Sequence, residues 1–400
     1  MTIRKVRYYI FLKDVIVLAV TAFGGPQAHF GMMLDMLVKK RRYLDEQEFI
    51  ELHALCQFLP GPTSTQTLTA IGFKVGGPNL AYLTLLVWII PAFLVMSTAG
   101  VMISSLESYD ISLEFTRFIQ PMAVGIVSYS AFLIIKKVIH TKLAVGLMLM
   151  SAVCSFLIRT PYVFPALILV GGAITAFDYK RHEKEPRNKI EIQWSNFFLW
   201  AGVLVGAALV GAVTKWRGID LFENFYRIGS LIFGGGQVLV PHLYTEFVEF
   251  KRYLSSEEFL SGYALVQAVP GPVFSFAGFV GAVSMRDYGI TGQYLGGFLS
   301  AVGVFLPGAF LIFFVIRFWD ELKKFRIVKA SLDGINAVSA GMIIAAALLL
   351  SLPLFNTNMV STESSYLNIG IIVSTFLVLT FTKIPTPILI IAGLILGIVL

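Results

Sequence analysis

Apolar stretches of roughly 17 to 25 residues recur along the whole chain, with short polar connections between them. Each is long enough to cross the ~30 Å hydrocarbon core of a bilayer as an α-helix. No alternating pattern of period two appears, and backbone groups inside a bilayer must be satisfied within their own segment, so the pattern predicts an all-α polytopic membrane protein. About nine full crossings are predicted, at residues 79–103, 117–138, 143–158, 162–177, 194–213, 291–316, 330–350, 366–382 and 384–400.

Four further apolar segments, two at the start of each half, are broken by Gly and Pro. FGGP at residues 23–26 returns as FGGG at 233–236, and LPGP at 59–62 returns as VPGP at 269–272, in both cases 210 residues later (233 − 23 and 269 − 59). A duplicated, Gly/Pro-broken apolar sequence is typical of the substrate site of a repeat-built secondary transporter. Re-entrant hairpins are the favoured form of these segments, and two broken full crossings per half remain the alternative.

Composition agrees with a membrane protein, because 56 % of the residues are hydrophobic and 14 % are charged, against about 25 % charged in soluble domains. The net charge of +7 comes from short basic clusters between apolar segments, which indicates topology determinants and not a nucleic-acid surface. Cys56 and Cys154 lie in apolar segments without metal-ligand spacing, so they are interpreted as small buried hydrophobes and no metal site is predicted. The basic N-terminus, without a clear cleavage site, is expected to remain on the cytoplasmic side.

The charges of the loops predict how the two halves are oriented in the membrane. The loop 104–116 holds three acidic residues and no basic one, whereas its counterpart 313–325 holds Arg317, Lys323 and Lys324. Equivalent loops are therefore expected on opposite sides of the membrane, as in an inverted-topology repeat. The predicted organisation is a first transporter repeat at residues 1–178, a cytoplasmic linker at 179–193, an extra linking transmembrane helix at 194–217 and a second, inverted repeat at 218–400.

The PGP break predicts an anion site. Pro62 suits a first helical position with Gly61 as the cap, which leaves the N–H groups of the next three residues without intrahelical partners. The helix dipole and the Thr and Ser hydroxyls there favour a tetrahedral oxyanion. The second half has fewer hydroxyls after its break, so the site is expected to be asymmetric. Candidate substrate-binding residues are Gly24, Gly25, Gln27, Gln57, Gly61, Thr63, Ser64, Thr65, Gly234, Gly235, Gln237, Gln267, Gly271 and Ser275.

Candidates for proton coupling are His29, Glu48 and Glu258, which lie near the breaks. For His29 a neutral packing or hydrogen-bonding role is favoured. No HExxH, GxSxG or paired membrane aspartates occur, so neither an enzyme nor a cofactor is predicted.

The order FGGPQAH, LPGP, FGGGQVLVP and VPGP resembles the chromate ion transporter family in its long, two-domain form. Two departures occur: Tyr43 stands where many members carry Trp, and Gly236 stands where the first half has Pro26. The resemblance implies a plasma-membrane exporter of chromate, with sulfate as an isostere, working by alternating access among membrane lipids. The oligomeric state is left open, with a homodimer as one alternative. An anion channel, or a transporter of another oxyanion, is the alternative function, and an intramembrane enzyme or scaffold comes last.

Overall fold

The computed structural model describes residues 3–108, 113–179, 192–233, 235–322, 324–355 and 362–399. All regular secondary structure in these ranges is helical, which confirms the prediction of an all-α fold.

The described part of the first half contains eight α-helices. They are α1 (Ile3–Thr21), α2 (Gly25–Met33), which continues as a π-helical turn over Leu34–Lys40, α3 (Glu46–Phe58), α4 (Thr63–Gly76), α5 (Pro78–Ser108), α6 (Ile119–Val138), α7 (Lys142–Leu157) and α8 (Val163–Ala176). A 3₁₀ turn, Leu113–Thr116, precedes α6, and α9 (Ser195–Thr214) follows the first half.

The second half contains α10 (Arg217–Leu231), α11 (Leu239–Leu243), which continues as a π-helical turn over Tyr244–Phe250, α12 (Ser256–Ala268), α13 (Phe276–Ser284), α14 (Gly289–Val315), α15 (Trp319–Leu322), α16 (Arg326–Ser351), α17 (Thr362–Phe381) and α18 (Thr386–Val399). Short 3₁₀ turns cover Gly236–Val238, Val273–Ser275, Arg286–Tyr288 and Leu352–Phe355.

Local conformation repeats with the sequence motifs. Helices α3 and α12 both have 13 residues and begin 210 residues apart (256 − 46). The two π-helical turns both have seven residues at the same offset (244 − 34). Each turn is followed by an arginine in the left-handed region, Arg42 with φ 53° and Arg252 with φ 55°. Left-handed arginine is uncommon, so the recurrence of this turn indicates a shared local structure.

Among the described residues, six helical segments are long and apolar enough to span a membrane, at 78–106, 114–138, 195–214, 286–315, 326–355 and 364–381. The remaining three predicted crossings correspond to α7, α8 and α18, which have 16, 14 and 14 residues. At about 1.5 Å per residue these helices are shorter than the hydrocarbon core. The count of nine crossings therefore stays a prediction.

The chain forms two compact units, and each draws on both halves of the sequence. Unit 1 comprises Met1–Met102, Ile192–Gly236 and Val269–Arg317, and unit 2 comprises Ile103–Glu191, Gln237–Ala268 and Phe318–Leu400.

In unit 1 the loop after the first π-helical turn is fastened to α1. Arg41 forms an ion pair of 2.8 Å with the buried carboxylate of Asp14, and the Tyr43 hydroxyl donates to the other Asp14 oxygen at 2.8 Å. Burial, and secondarily the bond to Asp14, raise the pKa of the Tyr43 phenol above its ordinary value, so this hydroxyl stays a donor.

In unit 2, α16 packs against α6, α7 and α8, and α6 also packs against α17. The contact of α16 with α8 is close, because any side chain on Gly334 would collide with the carbonyl of Gly171. A cavity of about 990 Å³ is lined by residues from the start of α6, the connection α7–α8, the second π-helical turn, the start of α12, the end of α16 and the start of α17. Since the start of α6 and the end of α16 line one cavity, these two helices run in opposite directions.

Candidate functional site

The Gly/Pro breaks of the two halves are hydrogen-bonded to one another in unit 1. The N–H group of Gly61 donates to the carbonyl of Ile232 at 2.7 Å, and that of Gly271 donates to the carbonyl of Ala22 at 2.8 Å. Ala22 directly follows α1, and Ile232 directly follows α10. Both donors and both acceptors are 210 residues apart (271 − 61 and 232 − 22). Each PGP break is thus bonded to the end of the first helix of the other half.

The backbone at both breaks requires glycine. Gly61 has φ +114° and Gly271 has φ +107°, in the region that side-chain-bearing residues avoid. A Cβ on Gly61 would lie 3.5 Å from the Cα of Gly308, and one on Gly271 would lie 2.9 Å from the Cβ of Ala92.

These neighbours are also equivalent. Ala92 follows Pro91 inside α5, and Gly308 follows Pro307 inside α14. Each break therefore packs against the proline-containing part of the long helix of the other half.

Helix α4 begins one residue later than predicted. Pro62, with ψ 95°, is the N-cap and Thr63 is the first helical residue, because the extended ψ of Pro62 keeps it outside the helix. The first intrahelical bond runs from the N–H of Gln66 to the carbonyl of Pro62 at 2.9 Å. The N–H groups of Thr63, Ser64 and Thr65 are therefore the ones that point out of the helix end, as predicted.

His29 connects this helix end to α1. Its Nε2 lies 3.2 Å from the Ala22 carbonyl, and its Nδ1 lies 3.2 Å from the Ser64 hydroxyl. Because a carbonyl only accepts, Nε2 carries the proton, and Nδ1 of the neutral ring accepts from the Ser64 hydroxyl. The buried His29 ring packs edge-on against Trp88, with centroids 5.4 Å apart. This contact set matches the neutral hydrogen-bonding role favoured for His29.

Thr65 is held by the same tryptophan. Trp88 Nε1 donates to Thr65 Oγ1 at 3.0 Å, and both residues are buried. Since Oγ1 accepts this bond, the hydroxyl proton of Thr65 remains available to another acceptor.

Gln66, which no sequence pattern singles out, lies at the break itself. Its side chain is 2 % exposed, and its Nε2 donates to the carbonyl of Pro60 at 2.7 Å and to that of Gly308 at 3.4 Å. Its Oε1 has no hydrogen-bond partner among the described residues.

The second-half break is less polar. Val273–Ser275 forms a 3₁₀ turn, and α13 begins at Phe276. The hydroxyl of Ser275 is buried and has no partner in the described part of the chain.

The other candidates are distributed over both units. Gly24, the N-cap of α2 with φ 93°, Gly25 with φ 74° and Gly235 with φ 107° lie in unit 1. Gln57 also lies in unit 1, where its amide is 3.0 Å from His53. Gln237, Gln267 and Glu258 belong to unit 2. The side chain of Gln27 and the whole of Gly234 lie outside the described residues.

Glu48 and Glu258 both occupy helix capping boxes. Glu48 Oε2 lies 3.4 Å from the N–H of Asp45, and Glu258 Oε2 accepts from the N–H of Ser255 at 2.8 Å. In return, the N–H of each glutamate donates to the side chain of the cap residue. Glu48 also forms an ion pair of 2.6 Å with Lys74. Both glutamates therefore have a structural role at the start of α3 and α12.

A family model and individual relatives both place the chain in one family. A family model described as chromate transporter matches residues 11–177 and 219–398. The chain is similar to a probable chromate transport protein of Synechococcus elongatus, with 26 % identity over 96 % of this chain and 93 % of that protein. It is similar to a chromate transport protein of Cupriavidus metallidurans, with 24 % identity over 100 % of this chain and 93 % of that protein. An uncharacterized transporter of Methanocaldococcus jannaschii is 27 % identical over 83 % of this chain and 81 % of its own. No solved structure matches.

Proposed function

Because the chain belongs to the chromate transporter family, we propose that it exports chromate across the plasma membrane by alternating access, with its oxyanion site at the two PGP breaks. It is a membrane transporter of the chromate type and not an enzyme. Sulfate, which has the same shape and charge as chromate, is proposed as a second ligand that binds more weakly. The N-terminus is proposed to be cytoplasmic.

The observation that carries the proposed site is the reciprocal bonding of Gly61 to Ile232 and of Gly271 to Ala22. This pairing brings the start of α4, with the outward-pointing N–H groups of its first turn, to the meeting point of both halves. A helix N-terminus offers unpaired N–H donors and about half a positive charge, which stabilise an anion. Bonds that cross between equivalent elements also support the proposal of two inverted repeats, at 1–178 and 218–400.

Export is electrically favourable. An anion that leaves a negative interior gains about 2.3 kcal/mol per charge for each 100 mV. Outward movement therefore needs no coupled ion, whereas accumulation of the same anion would need one.

Reconstitution into liposomes tests the proposal. Labelled chromate should leave vesicles that contain the protein, and unlabelled chromate on the opposite side should accelerate this efflux, because alternating access exchanges substrate. Gly61→Leu should abolish the flux in a protein that still inserts and folds. Flux without trans-stimulation would indicate a channel, and a Gly61→Leu protein with the wild-type rate would remove the proposed site.

A further inference from the structure

The carboxamide of Gln66 lies over the N-terminal end of α4. Its nitrogen would be 3.0 Å, and its carbonyl carbon 3.6 Å, from a Cβ placed on Gly61. The carbonyl oxygen is bonded to that same carbon, so it also lies at the break.

The orientation of this amide follows from its neighbours. The carbonyl groups of Pro60 and Gly308 both lie within hydrogen-bond distance of one end of the amide. Carbonyl oxygens only accept, so the end that faces them must be the NH₂ group. The acceptor Oε1 therefore points away from both, and it is buried without a partner among the described residues.

A buried acceptor without a hydrogen bond destabilises the folded protein by about 1–3 kcal/mol. Buried polar groups in native proteins are nearly always hydrogen-bonded, so a donor is expected here. The other groups around the first turn of α4 are donors, namely the N–H groups of residues 63–65 and the hydroxyl proton of Thr65. A ligand that satisfies the whole set must accept several hydrogen bonds and donate one. A fully ionised tetrahedral oxyanion only accepts, whereas its singly protonated form does both.

We infer that the site binds the protonated monoanion, hydrogen chromate, whose O–H group donates to Oε1 of Gln66 while its other oxygens accept from the first turn of α4. This inference rests on the proposed function and names the species that the site takes. The transported proton is then carried by the substrate.

The inference gives Gln66 a role in selectivity. Chromate and sulfate dianions have the same shape and charge, but they differ in basicity: hydrogen chromate is abundant near neutral pH, whereas hydrogen sulfate exists only in strong acid. A site built to hydrogen-bond a ligand O–H group rejects the analogue that lacks it, because the buried polar group of the site is left unpaired. Gln66 therefore favours chromate over sulfate.

The protein has titratable groups of its own near this turn. His29 on α2 contacts Ser64, and His53 on α3 contacts Thr67, one turn further along α4. From α5 and α14 the groups that reach the turn are the indole of Trp88 and the carbonyl of Gly308, which do not titrate. A test must therefore separate the proton of the substrate from a proton on His29 or His53.

Equilibrium binding of labelled chromate to the full chain in lipid nanodiscs, from mildly acidic to mildly alkaline buffer, measures the proton bound with the ligand, and histidine variants then show where that proton sits. Above the ionisation of hydrogen chromate, affinity for total chromate should fall about tenfold per pH unit, because one proton is bound with the ligand. Unlabelled sulfate should compete poorly at every pH. Chromate affinity that does not change with pH, or sulfate that competes as well as unlabelled chromate, would overturn the inference.

Variants identify the groups. In His29→Gln and in His53→Gln, whose amides can replace the ring hydrogen bonds, the pH dependence of chromate binding should persist, and its loss in either variant would assign the proton to that histidine instead. Gln66→Met should reduce the preference for chromate over sulfate about tenfold, the equivalent of one hydrogen bond. Gln47→Met, an exposed position on α3 whose amide contacts only Glu51 among the described residues, is the matched control and should keep the preference.

The outcomes separate this inference from the proposed function. Chromate that binds without pH dependence leaves the transporter proposal in place and removes the hydrogen-chromate inference. A folded wild-type protein that binds no chromate at any pH rejects both.

Discussion

Among single residues, the PGP glycines combine a left-handed φ with a crowded Cβ position, as Gly24 also does. Gly61 has a left-handed φ, and a Cβ there would crowd Gln66. Gly77 also has a left-handed φ, of +80°, but a Cβ there would meet nothing within 4 Å. Gly31 is helical, and the space around it is open as well. The three positions therefore separate backbone strain from crowding at the site.

We expect Gly61→Ala to lower the rate of chromate transport at least tenfold, because the new methyl group displaces the Gln66 amide and the backbone is strained by about 1–2 kcal/mol. Gly77→Ala has comparable strain without the crowding, so it should lower the unfolding temperature and keep transport. Gly31→Ala should change neither quantity. Vesicle efflux and thermal unfolding measure the two effects, and a Gly61→Ala protein that transports no worse than Gly77→Ala would show that crowding at Gln66 is irrelevant.

The sequence predicts some residues of the candidate site and not others, for a physical reason. Gly61 and the hydroxyls of residues 63–65 follow from helix-end chemistry, which is local and visible in a few letters. Gln66 and Trp88 become recognisable only through contacts between helices, such as the bond from Trp88 to Thr65 or from Gln66 to Gly308. A glutamine or a tryptophan inside an apolar segment gives no periodic signal, so no pattern in the chain selects them.

Among the helices, α3 and α12 both begin with a capping box, but the glutamate of the box is partly exposed in α3 and buried in α12. The sequences are D-x-x-E at 45–48 and S-x-x-E at 255–258, which are patterns of a capping box. The Glu48 side chain is 42 % exposed beside Lys74, whereas Glu258 is 1 % exposed. In the sequence, both glutamates are candidates for proton coupling because they occupy equivalent positions. The capping-box pattern explains that equivalence by a structural role.

We expect Glu48→Gln and Glu258→Gln to fold normally and to keep the pH profile of wild-type transport, because glutamine also completes a capping box from this position. Glu258→Ala should lower the unfolding temperature more than Glu48→Ala does, since the Glu258 side chain is buried and its loss leaves a cavity and an N–H group of Ser255 without its acceptor. A displaced pH profile in either glutamine variant would instead assign the coupled proton to that glutamate.

Some helix boundaries can be predicted from local sequence and others cannot, as with the residues of the site. The breaks at 22–24 and 59–62 separate α1 from α2 and α3 from α4, at or next to the Gly and Pro positions that predict them. The π-helical turns at 34–40 and 244–250 could not be predicted, because no residue pattern distinguishes them from the α-helices they continue.

At the level of the molecule, each compact unit is assembled from both halves of the chain. The charge pattern of the loops predicts that the halves are inverted. It cannot predict which helices of one half pack against which helices of the other, because those contacts join residues far apart in sequence. Unit 2 contains the geometry that an inverted repeat requires, since the start of α6 and the end of α16 line the same cavity. Arg159, between α7 and α8, and Ser364, near the start of α17, line that cavity too.

Cysteine labelling tests this organisation in the membrane. His140 precedes α7 and Ser364 lies at the start of α17, so the two positions are equivalent in the two halves. On a background without Cys56 and Cys154, we expect His140→Cys to react with an impermeant thiol reagent from the cytoplasmic side and Ser364→Cys from the outside, as the basic residues Lys136, Lys137 and Lys142 indicate. Thr160→Cys should label on the same side as Ser364→Cys, because its neighbour Arg159 lines one cavity with Ser364. If His140→Cys and Ser364→Cys react from one side and Thr160→Cys from the other, the halves are parallel, and the crossed bonds between the PGP breaks need an explanation other than inverted symmetry. If all three react from one side, α7 does not cross the membrane.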